Sequence, residues 1–472
     1  MEKPGEACGI VGIYSGEPSR VDDAVMALWT LQHRGQTGSG LAVFDTERPW
    51  VIKDNGLVDD VMSESAVRTL RYCSESPVVV GHDRYSTSGK TSAGENARLA
   101  QPIQAQNHNF VLSHNGHIED IGRISQQLGY DVSACESDSE ALACLLDQVM
   151  DQRGDLIDAI LAVLPSLDGA ASIVLGEQNR LIAFRDKRGF RPLSIGKRGE
   201  EYMFASETHT FDTLGFEHVR DVLPGEVVWV DEGGLGSERA TVDVPESFCL
   251  FEKIYFAHPN SNMNGHNIYK LREQLGEVLG AEHYVDADMV IGVQNSGAPY
   301  ARGYARKTGI PEELALTKNG YINRTFILDT NLSRQQAVRM KHQPNKQLIA
   351  GKRVVLVDDS IVRGTTMKTL VEILRVAGAT EVHVRIPSPP YAWPCFYGMD
   401  TRNTSSLIAF QKSIKAIEQV LGCDSLEYLG LDQVLSIADR EYKAHQFGAK
   451  YVGPFCTACM TGIYPIPLHE TK

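Results

Sequence analysis

Arg353-Val-Val-Leu-Val-Asp-Asp-Ser-Ile-Val-Arg-Gly-Thr-Thr366 reads as a buried strand, then two adjacent carboxylates, then a small-residue loop rich in backbone N–H groups. A strand, an anionic pair and a glycine turn opening a helix can hold a sugar phosphate. The amides at the helix start take the phosphate, and the carboxylates take hydroxyls or a metal. Taken alone, an apolar strand ending in Asp-Asp and Gly also describes many ordinary α/β strand ends. The flanking rhythm extends the reading. Residues 271–280 have helical spacing, and 288–293 form a buried strand followed by the turn Gln294-Asn-Ser-Gly297 and a helix over 299–307. A strand over 353–358, a helix over 365–377 and a strand over 381–386 follow. This alternation predicts parallel βαβ units and a doubly wound sheet.

The first half has a different rhythm. Strands are expected at 8–14, 78–81, 109–113, 170–176, 181–185, 202–206 and 226–230. A helix is expected over 22–32, and a second opens at the capping box Ser137-Asp-Ser-Glu140 and runs to 150. Many strands with few helices predict stacked antiparallel sheets flanked by helices. The boundary falls near Pro245, after the turn Glu232-Gly-Gly-Leu-Gly236. No internal repeat or low-complexity segment is present.

The chain has 472 residues, enough for two or three domains with full cores. Its net charge of −14, with no polybasic block, argues against nucleic acid and anionic membrane surfaces. No apolar segment is long enough to span a bilayer, and the polar stretch from Met1 to Ala7 has no signal-peptide core, so a cytoplasmic location is expected. Nine cysteines, widely scattered, do not make a disulfide framework in a chain this long.

Cys8 lies almost at the chain start in Cys8-Gly-Ile-Val-Gly-Ile13. A strand cysteine is by itself usually core. Asn115-Gly116 alone is a common hairpin turn, Asp138 alone favours a helix N-terminus, and Arg84 alone could be a surface ion pair. The chain also carries Gln32-His-Arg-Gly-Gln36, Gly81-His-Asp-Arg-Tyr-Ser-Thr87 and Ser113-His-Asn-Gly116. In order and spacing these resemble the glutaminase domain of N-terminal-nucleophile amidotransferases, over residues 8 to about 230. The string Asp358 to Thr366 resembles the type I phosphoribosyltransferase signature, in the form found in glutamine phosphoribosyl diphosphate (PRPP) amidotransferases.

The resemblance implies an α+β glutaminase domain over 8–245, preceded by a propeptide over 1–7. An α/β phosphoribosyltransferase domain over 246–472 follows. Cys8 would be the nucleophile, with Asn115 and the Gly116 N–H as the oxyanion hole. Arg84 would hold the glutamine α-carboxylate and Asp138 its α-ammonium, with Arg34 shaping the pocket. His33, His82, His114 and His117 are expected to be structural. In the second domain Ser296, Asp358 and Asp359 would hold Mg²⁺. Ser360, Arg363, Gly364, Thr365 and Thr366 would bind PRPP, and Lys318 and Arg324 belong to a loop closing over it.

Cys456-Thr-Ala-Cys459 alone fits zinc, redox or cluster chemistry equally, although zinc would want a second close pair and none exists. Cys249 and Cys395, alone, read as buried cysteines. Together with their flanks the four resemble the iron–sulfur subgroup of the same family, which implies a structural 4Fe-4S cluster. Gln294-Asn295, Gly320, Lys187 and Asp83 depart from the family pattern, the first two sites touching the acceptor site.

The expected reaction is transfer of glutamine ammonia to PRPP, giving 5-phosphoribosylamine, glutamate and pyrophosphate. It is the first committed step of purine synthesis. Purine nucleotides are expected inhibitors, and the expected assembly is a homotetramer or homodimer. The alternatives are a paralogue with another phosphorylated acceptor, or a non-catalytic nucleotide sensor.

Overall fold

A computed structural model describes residues 8–16, 20–85, 97–240, 243–319, 341–401, 403–439 and 454–467. The first half contributes thirteen strands among the described residues: β1 Gly9–Tyr14, β2 Gly38–Phe44, β3 Pro49–Asn55, β4 Val78–Arg84, β5 Ile103–Gln104, β6 Val111–Ile118, β7 Gly169–Gly176, β8 Leu181–Arg185, β9 Ser194–Arg198, β10 Glu201–Ala205, β11 Glu217–Asp221, β12 Glu226–Asp231 and β13 Gly234–Arg239. They build a seven-stranded sheet in the order β11-β9-β10-β1-β4-β2-β3 and a six-stranded sheet in the order β13-β12-β8-β7-β6-β5. Every pairing within them is antiparallel.

The two-residue period of a strand sorts side chains between layers. On β1, Ile10 and Tyr14 face the second sheet and meet Val174, Leu181 and Ala183. Val11 and Ile13 face the other way, onto Ala24 and Leu28 of helix Val21–Leu31. Leu112, Ile173 and Leu175 of the second sheet pack against Leu142, Leu146 and Val149 of helix Asp138–Arg153. The result is four layers: helix, sheet, sheet, helix. Each fully buried Val, Ile or Leu stabilises this stack by about 1.5–3 kcal/mol.

The second half holds a four-stranded parallel sheet in the order Met289–Gly292, Arg353–Val357, Glu381–Ile386, Ser425–Tyr428. These runs are apolar at nearly every position because both faces are covered. Val290, Val355 and Val357 pack toward helices Ile268–Glu282 and Ala298–Thr308. Ile291, Val354 and Leu356 pack toward helix Thr365–Val376.

The expected strand at 109–113 runs instead over Val111–Ile118, so Asn115-Gly116 lies inside a strand and not in a hairpin turn. The glycines of 232–236 make the β12–β13 hairpin. The last strand of the two large antiparallel sheets ends at Arg239, and Phe248–Cys249 already pairs in parallel with Phe455–Cys456, near the far end of the chain.

Candidate active sites

Four distant segments converge on one pocket. The β1–β4 register pairs Gly9 with Asp83, which sets Cys8 beside the end of β4, where Arg84 and Tyr85 follow. The β6 strand contributes Asn115 and Gly116, and the start of helix Asp138–Arg153 contributes Asp138 and Ser139. Cys8, Arg84, Asn115, Gly116 and Asp138 all line it, together with Gln101 and Gly398.

Each wall has a local cause. Tyr85 N–H donates to Cys8 Sγ at 3.5 Å. Burial pushes the thiol up, and the Tyr85 N–H, Arg84, Arg34 and Arg191 pull it back only in part, so the thiol needs a base before it can attack. Asn115 is fully buried, and neither its amide nitrogen nor its oxygen has a hydrogen-bond partner among the described residues. A buried amide without partners is costly, and a substrate oxygen entering the pocket would satisfy its N–H. Gly116 sits at φ +149°, where a Cβ would come within 1.9 Å of the Ala170 carbonyl; only glycine fits.

Ser137 caps helix Asp138–Arg153 by accepting from Glu140 N–H at 3.1 Å. The reciprocal half of the box is shifted: Glu140 accepts from Glu136 N–H at 2.8 Å. Asp138 accepts from Ile118 N–H at 3.0 Å and lies 3.2 Å from His117 Nδ1. Burial alone would raise its carboxyl, but these partners and the His114 charge hold it well below the usual range, so it stays ionised.

Arg34 is not among the residues lining the pocket. It lies behind Cys8, with Nε donating to the Cys8 carbonyl at 3.1 Å and the two Nη atoms donating to Glu207 and Glu252. His33 lies 2.9 Å from Glu207, His82 contacts the His114 carbonyl, and His114 contacts Ser139 Oγ. The two departures in this half are also accounted for locally. Lys187 pairs with Asp168 at 2.9 Å, and Asp83 is buried, bonded to Ser39 Oγ and pushed up by burial.

Gly398, Gln101 and Tyr85 carried no chemical signal in the sequence. Gly398 comes from the second half and sits at φ +100°, with room for no side chain: a Cβ there would lie 3.2 Å from Gly116 Cα. A segment 282 residues further along the chain thus lines the pocket beside Gly116.

The second site lies at the C-terminal ends of Met289–Gly292 and Arg353–Val357, where ligands bind in parallel sheets. Ser296 Oγ donates to Asp358 Oδ1 at 3.0 Å, joining the two strand-end turns. Asp359 N–H donates to the same oxygen at 3.0 Å, and Ser360 Oγ bonds Asp359. Gly364 takes a left-handed conformation at φ +83° as it caps helix Thr365–Val376, with Thr365 and Thr366 half-buried at the helix start. Arg363 is turned toward Asp400, donating to its carbonyl at 3.2 Å. Lys318 is exposed on a short strand paired with His342–Pro344. Arg324 and Gly320 lie outside the described residues.

The four cysteines of the proposed cluster gather in one apolar core. Cys249 and Cys456 are direct partners of the short parallel ladder. Cys459 O accepts from Ala392 N–H and Trp393 N–H, both at 2.9 Å, which ties the CxxC turn to the segment carrying Cys395. Burial pushes the Cys249 thiol to about 11 and lifts Cys456 and Cys459 well above the ordinary range. Among the described residues no three His, Cys, Asp or Glu side chains converge on a single metal ion.

Residues 89–213 match the family described as glutamine amidotransferase domain, and residues 266–387 match the phosphoribosyl transferase domain. The chain thus couples a glutamine amidotransferase domain to a phosphoribosyltransferase domain. The amidophosphoribosyltransferases of Bacillus subtilis and a Synechocystis strain are 39% and 40% identical to it, covering 98% and 99% of this chain and 95% and 93% of theirs. The solved glutamine PRPP amidotransferase of B. subtilis, complexed with ADP and GMP, superposes with a TM-score of 0.87 at 38% identity, covering 98% of both chains. The chain belongs to the amidophosphoribosyltransferase family.

Proposed function

We infer that the protein is an amidophosphoribosyltransferase. It transfers ammonia from glutamine to C1 of PRPP, yielding 5-phosphoribosylamine, glutamate and pyrophosphate in purine synthesis. The observation that carries this reading is the single pocket into which Cys8, Arg84, Asn115 and Asp138 converge, in a chain whose second half presents the Ser296–Asp358 pair at a parallel sheet edge.

Removal of residues 1–7 would leave Cys8 with a free α-amine, whose pKa of about 7.7–8.0 suits a base for the adjacent thiol. The thiolate attacks the side-chain amide carbon of glutamine. Asn115 Nδ2 and Gly116 N–H take the oxyanion, ammonia leaves, and water later releases glutamate from the thioester. Arg84 forks onto the α-carboxylate, and Asp138, held ionised, takes the α-ammonium. In the second domain the amides of 364–366 take the 5′-phosphate at the helix start, with Ser360 and Arg363 beside it, and Asp358 and Asp359 orient the ribose hydroxyls. Lys318 would pair with the diphosphate, the role the resemblance also gives to Arg324, outside the described residues. Ammonia attacks C1 and pyrophosphate departs. Ser296, Asp358 and Asp359 would hold Mg²⁺, which neutralises the leaving group; a hard oxygen set of few protein groups suits that ion.

Cys249, Cys395, Cys456 and Cys459 would hold a 4Fe-4S cluster. A cluster takes one thiolate at each of four irons, so the sulfurs need not meet at one point, and a shared apolar pocket suits it. Inhibition by purine nucleotides is supported by the ADP and GMP bound to the B. subtilis relative. A homotetrameric or homodimeric, cytoplasmic enzyme completes the reading, and no described helix is long and apolar enough to cross a membrane.

Glutamate and pyrophosphate release, measured with and without PRPP, tests this. The wild type should release both when PRPP is present. Cys8→Ala should lose glutamine use and keep reaction with free ammonia. Glutamate release without phosphoribosylamine would indicate another acceptor, and a mature chain still beginning at Met1 would contradict the nucleophile.

A further inference from the structure

The residues behind the glutamine pocket form a chain of buried charge that the reaction as described does not use. Glu252 is fully buried, three residues after Cys249, in the segment that enters the second domain. Its Oε1 accepts from Arg34 Nη2 at 2.8 Å and from Arg191 Nη1 at 2.9 Å. Its Oε2 has no hydrogen-bond partner among the described residues. Both guanidiniums are also fully or almost fully buried.

The two arginines also bond two separate backbone segments of the pocket lining. Arg34 Nε donates to the carbonyl of Cys8 itself. Arg191 donates through Nε at 3.1 Å and Nη2 at 2.7 Å to the carbonyl of Tyr397, the residue before Gly398, whose backbone lies against Gly116. One carboxylate oxygen therefore ties the backbone carrying the thiol to the backbone pressed on the oxyanion glycine.

We propose that Glu252 is a positioning residue for glutamine hydrolysis: it fixes the distance between the Cys8 backbone and the Gly116 wall through Arg34 and Arg191. Stability alone is a weak reason for this arrangement. Buried charge triads are often neutral or unfavourable beside an apolar replacement, and here half of the carboxylate is left without a partner. Geometry is a stronger reason, because two planar guanidiniums on one oxygen define an angle that apolar packing cannot. Near-attack alignment is lost over about 1 Å, so a rigid tie of this kind acts on turnover more than on binding.

The inference rests on Cys8 as the nucleophile, which Cys8→Ala tests separately. The experiment compares glutamine-dependent and ammonia-dependent phosphoribosylamine formation in the processed full-length enzyme carrying Glu252→Gln. The kcat with glutamine should fall about tenfold or more, the KM for glutamine should stay within about twofold, and ammonia-dependent turnover should be unchanged. Arg191→Lys keeps the charge but loses the fork, and should show the same selective loss; it decides the matter if Glu252→Gln does not fold. Wild-type kcat with glutamine, or a parallel fall of both activities, overturns the proposal. So does a change confined to KM.

Discussion

Asn115 illustrates how a residue is set up by what it lacks. Its neighbour His114 bonds Gln101 through its N–H and Ser139 through its ring, while both polar atoms of Asn115 stay buried without partners among the described residues. A substrate oxygen entering the pocket would supply the partner its N–H lacks. Asn115→Ala should lower kcat with glutamine by about 10²–10³-fold and leave ammonia-dependent turnover intact, as steady-state assays with each nitrogen source would register. Equal turnover with glutamine would remove it from the oxyanion hole. At this scale much of the site was readable in the sequence. Cys8, Arg84, Asn115 and Asp138 stand in short distinctive strings, and the structure brings all four to one pocket. Arg34 was expected to shape the pocket, and its string says nothing of its partners Glu207 and Glu252, 173 and 218 residues away. Long-range charge pairing leaves no local pattern.

Strand β4 carries the clearest pH consequence at the scale of an element. His82 is fully buried in it, contacting the His114 carbonyl, and burial pushes its imidazole down to about 3 from 6.5. Between those values the unfolded chain binds a proton that the folded chain does not. This contribution to stability is therefore present above about pH 6.5 and is lost as pH falls toward 3. Urea unfolding measured from pH 6.5 to 4 should show a steeper acid loss for the wild type than for His82→Gln, by up to about 1.4 kcal/mol per pH unit. Identical slopes would mean that His82 protonates in the folded state. Element positions were largely legible: the expected strand at 181–185 is Leu181–Arg185, and the expected helix over 365–377 is Thr365–Val376. Strands β2 and β3 carried no distinctive signal. Asn115-Gly116 was ambiguous for a physical reason: the dipeptide suits a turn, but its flanks pair with β7 on both sides.

At the scale of the molecule the two halves are joined by contacts that no sequence pattern announces. Phe190 stacks on Tyr397 at 4.4 Å, Cys249 N–H donates to the Phe190 carbonyl at 3.0 Å, and Ser261 Oγ donates to Glu207 at 2.6 Å. The four cysteines stand at this junction, where backbone bonds join the segments that carry them. Enzyme purified without oxygen should be brown and contain iron and sulfide, and Cys456→Ser should bleach it and lower its melting temperature. A colourless, zinc-loaded wild type would replace the cluster with another metal. Gly398, from the second half of the chain, lines the glutamine pocket, an arrangement that suits direct passage of ammonia from one site to the other. Amide-labelled ¹⁵N-glutamine, supplied with PRPP in a large excess of unlabelled ammonium at a pH where little of it is free ammonia, tests that directly. Phosphoribosylamine retaining nearly all of the label is the expected result; product nitrogen matching the bulk ammonium pool would contradict a single enzyme that frees ammonia at Cys8 and spends it at the Asp358 site.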